Sequence, residues 1–255
     1  MLDRDDTSHV PGFELPPVWH WLYFWPATPC SELGSDGHPQ KGGFLPPIPL
    51  PRRMWAGGRV QWHTPLCLNQ PVHRLSTIQK VSHKAGRSGE LVFVQVEHQI
   101  SHTQGLALTE THDIVYRPLH TQASSPSPTP ELPAVKWMKN MVPDEVMLFR
   151  YSALTFNSHR IHYDRQYATE TEGYPGLVVH GPLMVTWLMD LLQQHCQHAV
   201  ANLSYKALKP LFVCADQRPI RLCGSPSKDG LSAQLWVEDQ QGDTAMHASV
   251  VFRNV

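Results

Sequence analysis

A stretch dense in proline and serine, RPLHTQASSPSPTPELP at residues 117–133, constrains the fold of this 255-residue chain more than any other segment. It has no apolar period, and segments of this composition form extended, exposed linkers. The parts on either side are nearly equal in length, and each is long enough for a small domain. We therefore predict an N-terminal unit at residues 1–118, a linker at 119–133 and a C-terminal unit at 134–255.

The N-terminal half is predicted to form strands once the chain has passed a region rich in Gly and Pro, which should be irregular as far as Arg59. Apolar and polar residues then alternate, the period of a half-buried strand. The alternating runs are GRVQWH, HRLSTIQKVSHKAG, LVFVQVEHQISH and LALTETHDIVYR, with turn-like breaks at KAGRSGE and HTQG. This order predicts an antiparallel meander.

The C-terminal half combines strands with one helix. DEVMLFRYSALT is interpreted as a strand, and a helix is predicted from Pro182 through PLMVTWLMDLLQQHCQHAV. The apolar positions of that helix are too crowded for a surface stripe, so it should be largely buried. Four strand-like runs follow, with hairpin signals at KDG and QQGD. A buried helix with an antiparallel sheet around it indicates the α+β class.

Charge and cysteine usage exclude several kinds of partner. The formal net charge is −1 without any Lys/Arg run, so nucleic acid and anionic membrane surfaces are not expected partners. No apolar stretch approaches the ~20 residues of a membrane span. Five scattered cysteines without a CxxC pair argue against a disulfide framework and a thiolate zinc site. The acidic N-terminus MLDRDDTSHV does not look like a targeting peptide, and a cytoplasmic location is predicted.

The histidines of HRIH and VVHGP allow three interpretations. His159 and His162 could share a metal, but the further ligands of a zinc site are not apparent. They could also be ordinary surface histidines among the 16 of the chain. Acid–base chemistry is the third interpretation, because His180 and Gly181 precede a helix whose free N–H groups can stabilise an oxygen that gains negative charge.

The paired segments RYSALTFNSHRIHYDRQYA and GYPGLVVHGPL resemble the MaoC-like dehydratases and (R)-specific enoyl-CoA hydratases of the hotdog fold. The likeness is greater to the double-hotdog branch that hydrates itaconyl-CoA and mesaconyl-C4-CoA or dehydrates 3-hydroxyacyl thioesters. DGHPQKGGFLPPIPLPRRMWAGG, YKALKPLF and AMHASVVF extend it over nearly the whole chain. The resemblance implies two hotdog units, each an antiparallel sheet around a central helix. It also implies an acyl-CoA thioester substrate, with no metal or redox cofactor.

The resemblance also assigns catalytic residues. The family motif has an Asp five residues before its His; His162 fits the His, but Asn157 stands at the Asp position. An amide cannot act as a general base, so Asn157 could only orient water, unless Asp164 or Asp36 supplies the carboxylate. The N–H of Gly181 is the implied donor to the thioester oxygen.

Substrate-binding residues follow from the C5 dicarboxylyl thioesters of this branch. A buried free carboxylate needs a cation, and a guanidinium suits it best. The expected substrate-binding residues are Arg160 as first candidate, Arg52 and Arg53 as alternatives or as contacts to coenzyme A phosphates, and His159, Tyr163 and His180 as lining. The N-terminal unit is expected to wall the substrate tunnel without taking part in the chemistry, and a homodimer remains open.

Itaconyl-CoA or mesaconyl-C4-CoA hydratase is the predicted activity. The alternatives are a 3-hydroxyacyl-CoA or acyl-carrier dehydratase for longer chains, a non-catalytic thioester-binding protein, and a thioesterase, since one fold supports several functions.

Overall fold

The computed structural model describes residues 2–4, 10–25, 27–86, 89–118, 131–213 and 216–253. The predicted linker therefore lies largely outside the described residues, as does the centre of the KAGRSGE turn. Four strands come from the N-terminal half: β1 (Arg52–Trp62), β2 (Val72–Gly86), β3 (Gly89–His102) and β4 (Gly105–Arg117). The four strands predicted there are confirmed.

The C-terminal half contributes two α-helices and five strands to the part of the chain that is described. They are β5 (Trp137–Met141), α1 (Glu145–Thr155), α2 (Gly181–His195), β6 (Val200–Ala207), β7 (Ile220–Pro226), β8 (Ser232–Glu238) and β9 (Thr244–Phe252). The predicted helix from Pro182 is thus confirmed, and so are the four strands that follow it. The short strand β5 was not predicted.

All strands found in these ranges join one antiparallel sheet in the order β2-β3-β4-β1-β6-β9-β8-β7-β5. The meander predicted for all four strands is formed by β2, β3 and β4 only, because β1, the first strand of the chain, pairs with β4 and not with β2. The two halves meet where β1 pairs with β6, from Gly57 opposite Lys206 to Gln61 opposite Asn202. A continuous sheet therefore couples the halves directly.

The central helix α2 packs against β5, β7, β8 and β9. Nine of its residues, from Leu183 to Leu192, are buried, as the crowded apolar pattern predicted. Within the described part of the N-terminal half, by contrast, helical structure is limited to two 3₁₀ turns, Trp19–Leu22 and Cys30–Glu32. The expectation of a central α-helix in that half is therefore wrong for these residues. No described helix is long and apolar enough to cross a membrane.

The segment DEVMLFRYSALT is a helix, and its interpretation as a strand was wrong. The side chain of Asp144 accepts a hydrogen bond from the Met147 N–H at 2.7 Å, which caps the first turn. The buried residues Leu148, Tyr151 and Ser152 recur at the spacing of one helical face. α1 ends at Thr155, and the following residue, Phe156, adopts a left-handed conformation with φ 51°.

Strand β1 begins at Arg52, seven residues earlier than predicted. The strand continues through Gly57 and Gly58, because both glycines pair with β6 close to Tyr205. A Cβ on Gly57 would come within 2.6 Å of the Tyr205 carbonyl oxygen, and one on Gly58 within 2.4 Å of its hydroxyl. The glycines therefore mark close strand packing rather than an irregular loop.

Candidate active site

A cavity of about 1860 Å³ opens where the two halves meet. The N-terminal half contributes the segment from Asp36 to Lys41 and the start of β1. The C-terminal half contributes the loop after α1 and the start of α2. Its volume is large enough for an extended ligand.

The segments HRIH and VVHGP are joined by two hydrogen bonds beside this cavity. His162 lies in a short 3₁₀ turn, Arg160–His162, and its Nδ1 is 2.7 Å from the Val178 carbonyl oxygen. The Val178 N–H donates in return to the Ile161 carbonyl at 3.0 Å. Since a carbonyl can only accept, Nδ1 of His162 carries the hydrogen, and Nε2 of the neutral ring is an acceptor.

Four imidazoles form a histidine cluster along the cavity wall: His38, His159, His162 and His180. The ring centroids of His38 and His159 are 3.9 Å apart, and those of His162 and His180 are 3.7 Å apart. His159 links the two pairs by placing its ring perpendicular to that of His162, at 5.4 Å. Three of the four were predicted site residues; His38 was not.

The cluster is held in the neutral form. Burial lowers the pKa of His162 to about 4, although the bond to Val178 opposes the shift. Burial also lowers the pKa of His159 and His180, and neighbouring positive charge adds to the effect. For His38 burial lowers the pKa as well, while the hydrogen bond to Asp36 opposes this. Each neutral imidazole has one ring nitrogen without a hydrogen, which can accept a hydrogen bond.

The start of α2 leaves a backbone donor, the N–H predicted to bind the thioester oxygen, at the cavity wall. His180 is the N-cap and Gly181 the first helical residue, so the Gly181 N–H is free of intrahelical bonding. Its Cα faces the Trp55 ring so closely that a Cβ would lie 2.6 Å from it. Nε2 of His180 is 2.9 Å from the Ser152 hydroxyl, whereas its buried Nδ1 lacks a partner among the described residues. This end of α2 is therefore ready to receive a hydrogen-bonding ligand.

Asn157 lines the cavity, but its side chain shapes the loop. Its Oδ1 accepts the backbone N–H of His159 at 3.0 Å. Asp164, one of the two carboxylates considered as substitutes, caps the backbone of Tyr167 and pairs with Arg160. It does not belong to the cavity wall, whereas the other candidate, Asp36, does.

Arg160 also lies outside the cavity wall. Its Nε and Nη2 donate to Asp164 at 3.0 and 2.7 Å, and its Nη1 donates to the Ser35 carbonyl at 3.1 Å. The structure therefore does not bring the first candidate for a carboxylate partner to the site. Tyr163 does line the cavity, and its hydroxyl donates to the Ser158 carbonyl at 3.0 Å.

Arg52 and Arg53 both line the cavity, with different surroundings. Arg52 forms an ion pair with Glu172 at 2.9 Å and stacks over Tyr174. Among the described residues, by contrast, no carboxylate forms a salt bridge with Arg53. The positive charge of Arg53 lies close enough to lower the pKa of His159. Arg53 is therefore a cation of the cavity wall that remains available to an anionic ligand.

Two site residues escaped the sequence reasoning. His38 joins the cluster through the segment SDGHP, which was considered only for its Asp36. Trp55, in the segment assigned to an irregular region, stacks on Tyr205 at 4.6 Å and supports Gly181. The sequence did contain a signal for His38, because Asp36 precedes it by two residues and Gly37 between them allows a tight turn.

Comparisons with known proteins identify the family of this chain. Residues 18–213 match the family hydroxyacyl-thioester dehydratase type 2. The chain is 50% identical to the mesaconyl-C(4)-CoA hydratase of Chloroflexus aurantiacus, covering 92% of this chain and 83% of that protein. It is 30% identical to the mitochondrial hydroxyacyl-thioester dehydratase type 2 of Schizosaccharomyces pombe, covering 93% and 83%.

A crystal structure of a MaoC-like dehydratase from Phytophthora capsici superposes with a TM-score of 0.63, at 14% identity, over 86% of this chain and 80% of that one. At that identity the likeness concerns the fold, and it confirms the predicted hotdog fold. The match over residues 18–213 and the two relatives show that the chain belongs to the hydroxyacyl-thioester dehydratase type 2 family.

Proposed function

We propose that this protein is a hydro-lyase that reversibly adds water to mesaconyl-C4-CoA to give citramalyl-CoA, in the cytoplasm and without a metal or redox cofactor. The observation that carries the proposal is the position of His162. Its neutral ring stacks on His180, the residue before the free Gly181 N–H, in one cavity. The 50% identity to a protein of that named activity supports the choice of substrate.

The proposed roles follow from the donors and acceptors of the site. The Gly181 N–H, at the positive end of α2, stabilises the thioester oxygen as the enolate forms. Nε2 of His162 accepts a hydrogen bond from the attacking water. Asn157 fixes the loop that carries His159 and leaves its amide NH₂ for the water.

The chemistry of the site favours mesaconyl-C4-CoA over itaconyl-CoA as the direct substrate. In mesaconyl-C4-CoA the double bond is conjugated with the thioester, so water addition produces a thioester enolate. In itaconyl-CoA a methylene group separates the terminal double bond from the thioester, and the same addition produces no such enolate. A site that stabilises the enolate oxygen therefore accelerates the first reaction directly.

The free carboxylate of mesaconyl-C4-CoA is bonded to the carbon that receives water. Its cationic partner must therefore lie near the water site. Arg53 meets this condition, since its charge acts on Asp36, His38 and His159. A buried carboxylate without such a partner would cost several kcal/mol. We assign Arg53 as the partner, and Arg160 remains bound to Asp164.

The test compares mesaconyl-C4-CoA and crotonyl-CoA by the absorbance of the conjugated thioester, and itaconyl-CoA by chromatographic detection of the citramalyl-CoA that its hydration forms. We expect the highest kcat/KM on mesaconyl-C4-CoA. Arg53→Gln should lower that value at least about tenfold while sparing crotonyl-CoA. Arg160→Gln, the matched control, should leave the ratio of the two substrates unchanged. A preference for crotonyl-CoA would favour the 3-hydroxyacyl-thioester dehydratase alternative, and release of free coenzyme A would indicate a thioesterase.

A further inference from the structure

The N-terminal half contributes a carboxylate–imidazole pair to the cavity. Nδ1 of His38 lies 3.1 Å from Oδ2 of Asp36, and the backbone N–H of His38 donates to Oδ1 at 3.0 Å. Both residues line the cavity. An ionised carboxylate can only accept, so Nδ1 carries the hydrogen and Nε2 of the neutral ring is free to take a proton.

This pair is built into the site by several contacts with the loop of the predicted motif. The Arg160 N–H donates to the Asp36 carbonyl at 2.9 Å, and the Ser158 hydroxyl donates to the Gly37 carbonyl. Gly37 has φ +84°, and a Cβ there would lie 1.9 Å from the Ser158 carbonyl oxygen. Only glycine allows the two loops to approach so closely. The arrangement brings the ring of His38 onto that of His159, next to His162.

The other two residues considered for the carboxylate role, Asp164 and Asn157, cannot fill it. Asp164 is held by Arg160 outside the cavity wall. The amide of Asn157 cannot take a proton. Among the described residues of the histidine cluster, only His38 is hydrogen bonded to a carboxylate. A carboxylate at Nδ1 stabilises the imidazolium that forms when Nε2 accepts a proton, a benefit that His162 does not receive from the Val178 carbonyl.

We infer that Asp36 and His38 form the acid–base dyad of this enzyme and supply, from the N-terminal half, the carboxylate function absent at position 157. This inference rests on the proposed hydration. It assigns chemistry to a half that the sequence predicted to be only a tunnel wall.

The dyad carries the proton from the water molecule to the α-carbon of the substrate. As the water oxygen bonds to the carbon that carries the methyl and carboxylate groups, the water O–H breaks and its proton moves to Nε2 of His38. The electron pair of the double bond moves into the thioester, and the Gly181 N–H stabilises the enolate oxygen. The proton then leaves Nε2 for the α-carbon as the enolate collapses. The net change is the addition of one water molecule, and His38 returns to its neutral form.

The test measures hydration of mesaconyl-C4-CoA by His38→Ala and Asp36→Asn. Each should lower kcat about 10²–10³-fold with a smaller change in KM. Added imidazole should restore part of the activity of His38→Ala, which a merely structural role would not produce. The control is His83→Ala, since His83 also faces a carboxylate, Glu90, but lies on β2 outside the cavity. Circular dichroism verifies that each variant folds.

The outcomes separate this inference from the proposed function. If the wild type hydrates mesaconyl-C4-CoA and His38→Ala does so equally well, the inference is overturned and the proposed function stands. If the wild type hydrates no enoyl-CoA, both fail. Asp36, His38 and His159 each offer one atom that could ligate a metal, and these atoms lie within 4.8 Å of one another. The arrangement is therefore also compatible with a metal ion. One equivalent of bound transition metal, with activity lost on chelation and restored by the metal, would overturn the acid–base assignment.

Discussion

The rings of His162 and His180 lie face to face, with centroids 3.7 Å apart and planes 17° apart. Two stacked imidazoles at this distance cannot both carry a positive charge at low cost, because each charge raises the energy of the other. Both are buried, which also favours the neutral form. The stack therefore holds a neutral acceptor beside the first turn of α2.

We predict that kcat/KM stays high at mildly acidic pH. His162 must be neutral to accept a hydrogen bond from water, and its pKa is lowered to about 4. His38, which belongs to the same cluster and contacts His159, also has a lowered pKa. Activity should therefore be lost as the pH falls well below 6.5. A profile of kcat/KM from pH 3.5 to 8 tests this, and an acid limb at the ordinary histidine value near 6.5 would contradict it.

Ser152→Ala should impair the site through His180. The variant removes the hydroxyl 2.9 Å from Nε2 and leaves a buried ring with neither nitrogen paired to a described residue. We expect a loss of about 1–3 kcal/mol in the free energy of unfolding, and a fall in kcat. Urea denaturation and steady-state kinetics measure the two effects. Thr155→Val is the control, because that hydroxyl donates to the Tyr151 carbonyl of its own helix; an equal effect of both variants would exclude a specific role for Ser152.

The sequence predicted the sheet well, because alternation along strands β2 to β4 and β6 to β9 reflects local burial. It also located α2, where Gly181 and Pro182 start a crowded apolar run. The reading of α1 as a strand failed because its outer face carries exposed apolar residues such as Val146 and Phe149. These obscured the helical spacing of the buried positions, whereas the cap at Asp144 was a usable signal.

The site was predicted in part, for a physical reason. His159, His162, His180 and Gly181 lie close in the sequence, so a motif could identify them. His38 reaches them from more than a hundred residues away, through the close approach at Gly37. Arg160 could be placed on the right loop, but the direction of its side chain depends on the competing carboxylate of Asp164. The position of His38 and the direction of the Arg160 side chain thus depend on tertiary contacts, which the sequence alone does not show.

Gly181→Ala should displace the first turn of α2. The added Cβ would lie 2.6 Å from the Trp55 ring, which Trp21 and Tyr205 hold in place. Since small misplacements of a catalytic donor are costly, we expect kcat to fall about 10–100-fold. The matched control is Gly43→Ala, another cavity glycine, whose Cβ would meet no atom within 4 Å. Full activity of Gly181→Ala would show that the α2 amide does not serve the reaction.

Glu110 is a buried carboxylate that the proposed reaction does not use, and it is linked to Trp55 through Trp21. Oε1 of Glu110 accepts the indole N–H of Trp21 at 2.6 Å, and Oε2 is 3.1 Å from Nε2 of His20. Nε2 of His112 is 2.9 Å from Oε1. Burial alone would raise the pKa of Glu110, but the charges of His112 and His20 outweigh it and lower the pKa well below its ordinary value. The ionised form therefore supports Trp21, which packs edge-on against Trp55.

Glu110→Gln should lower the free energy of unfolding by about 3 kcal/mol at pH 7, because it leaves buried donors facing an uncharged amide. The pKa of Glu110 is lowered on folding, so the carboxylate stabilises the fold above its unfolded pKa near 4.5. This contribution is lost as the pH falls through the lower, folded value. Urea denaturation should therefore show a large difference from wild type at pH 7 and a smaller one in strong acid. Glu90→Gln, at an exposed carboxylate on β3, serves as the control, and an equally small effect of Glu110→Gln at pH 7 would show that the buried ion cluster does not hold this part of the sheet together.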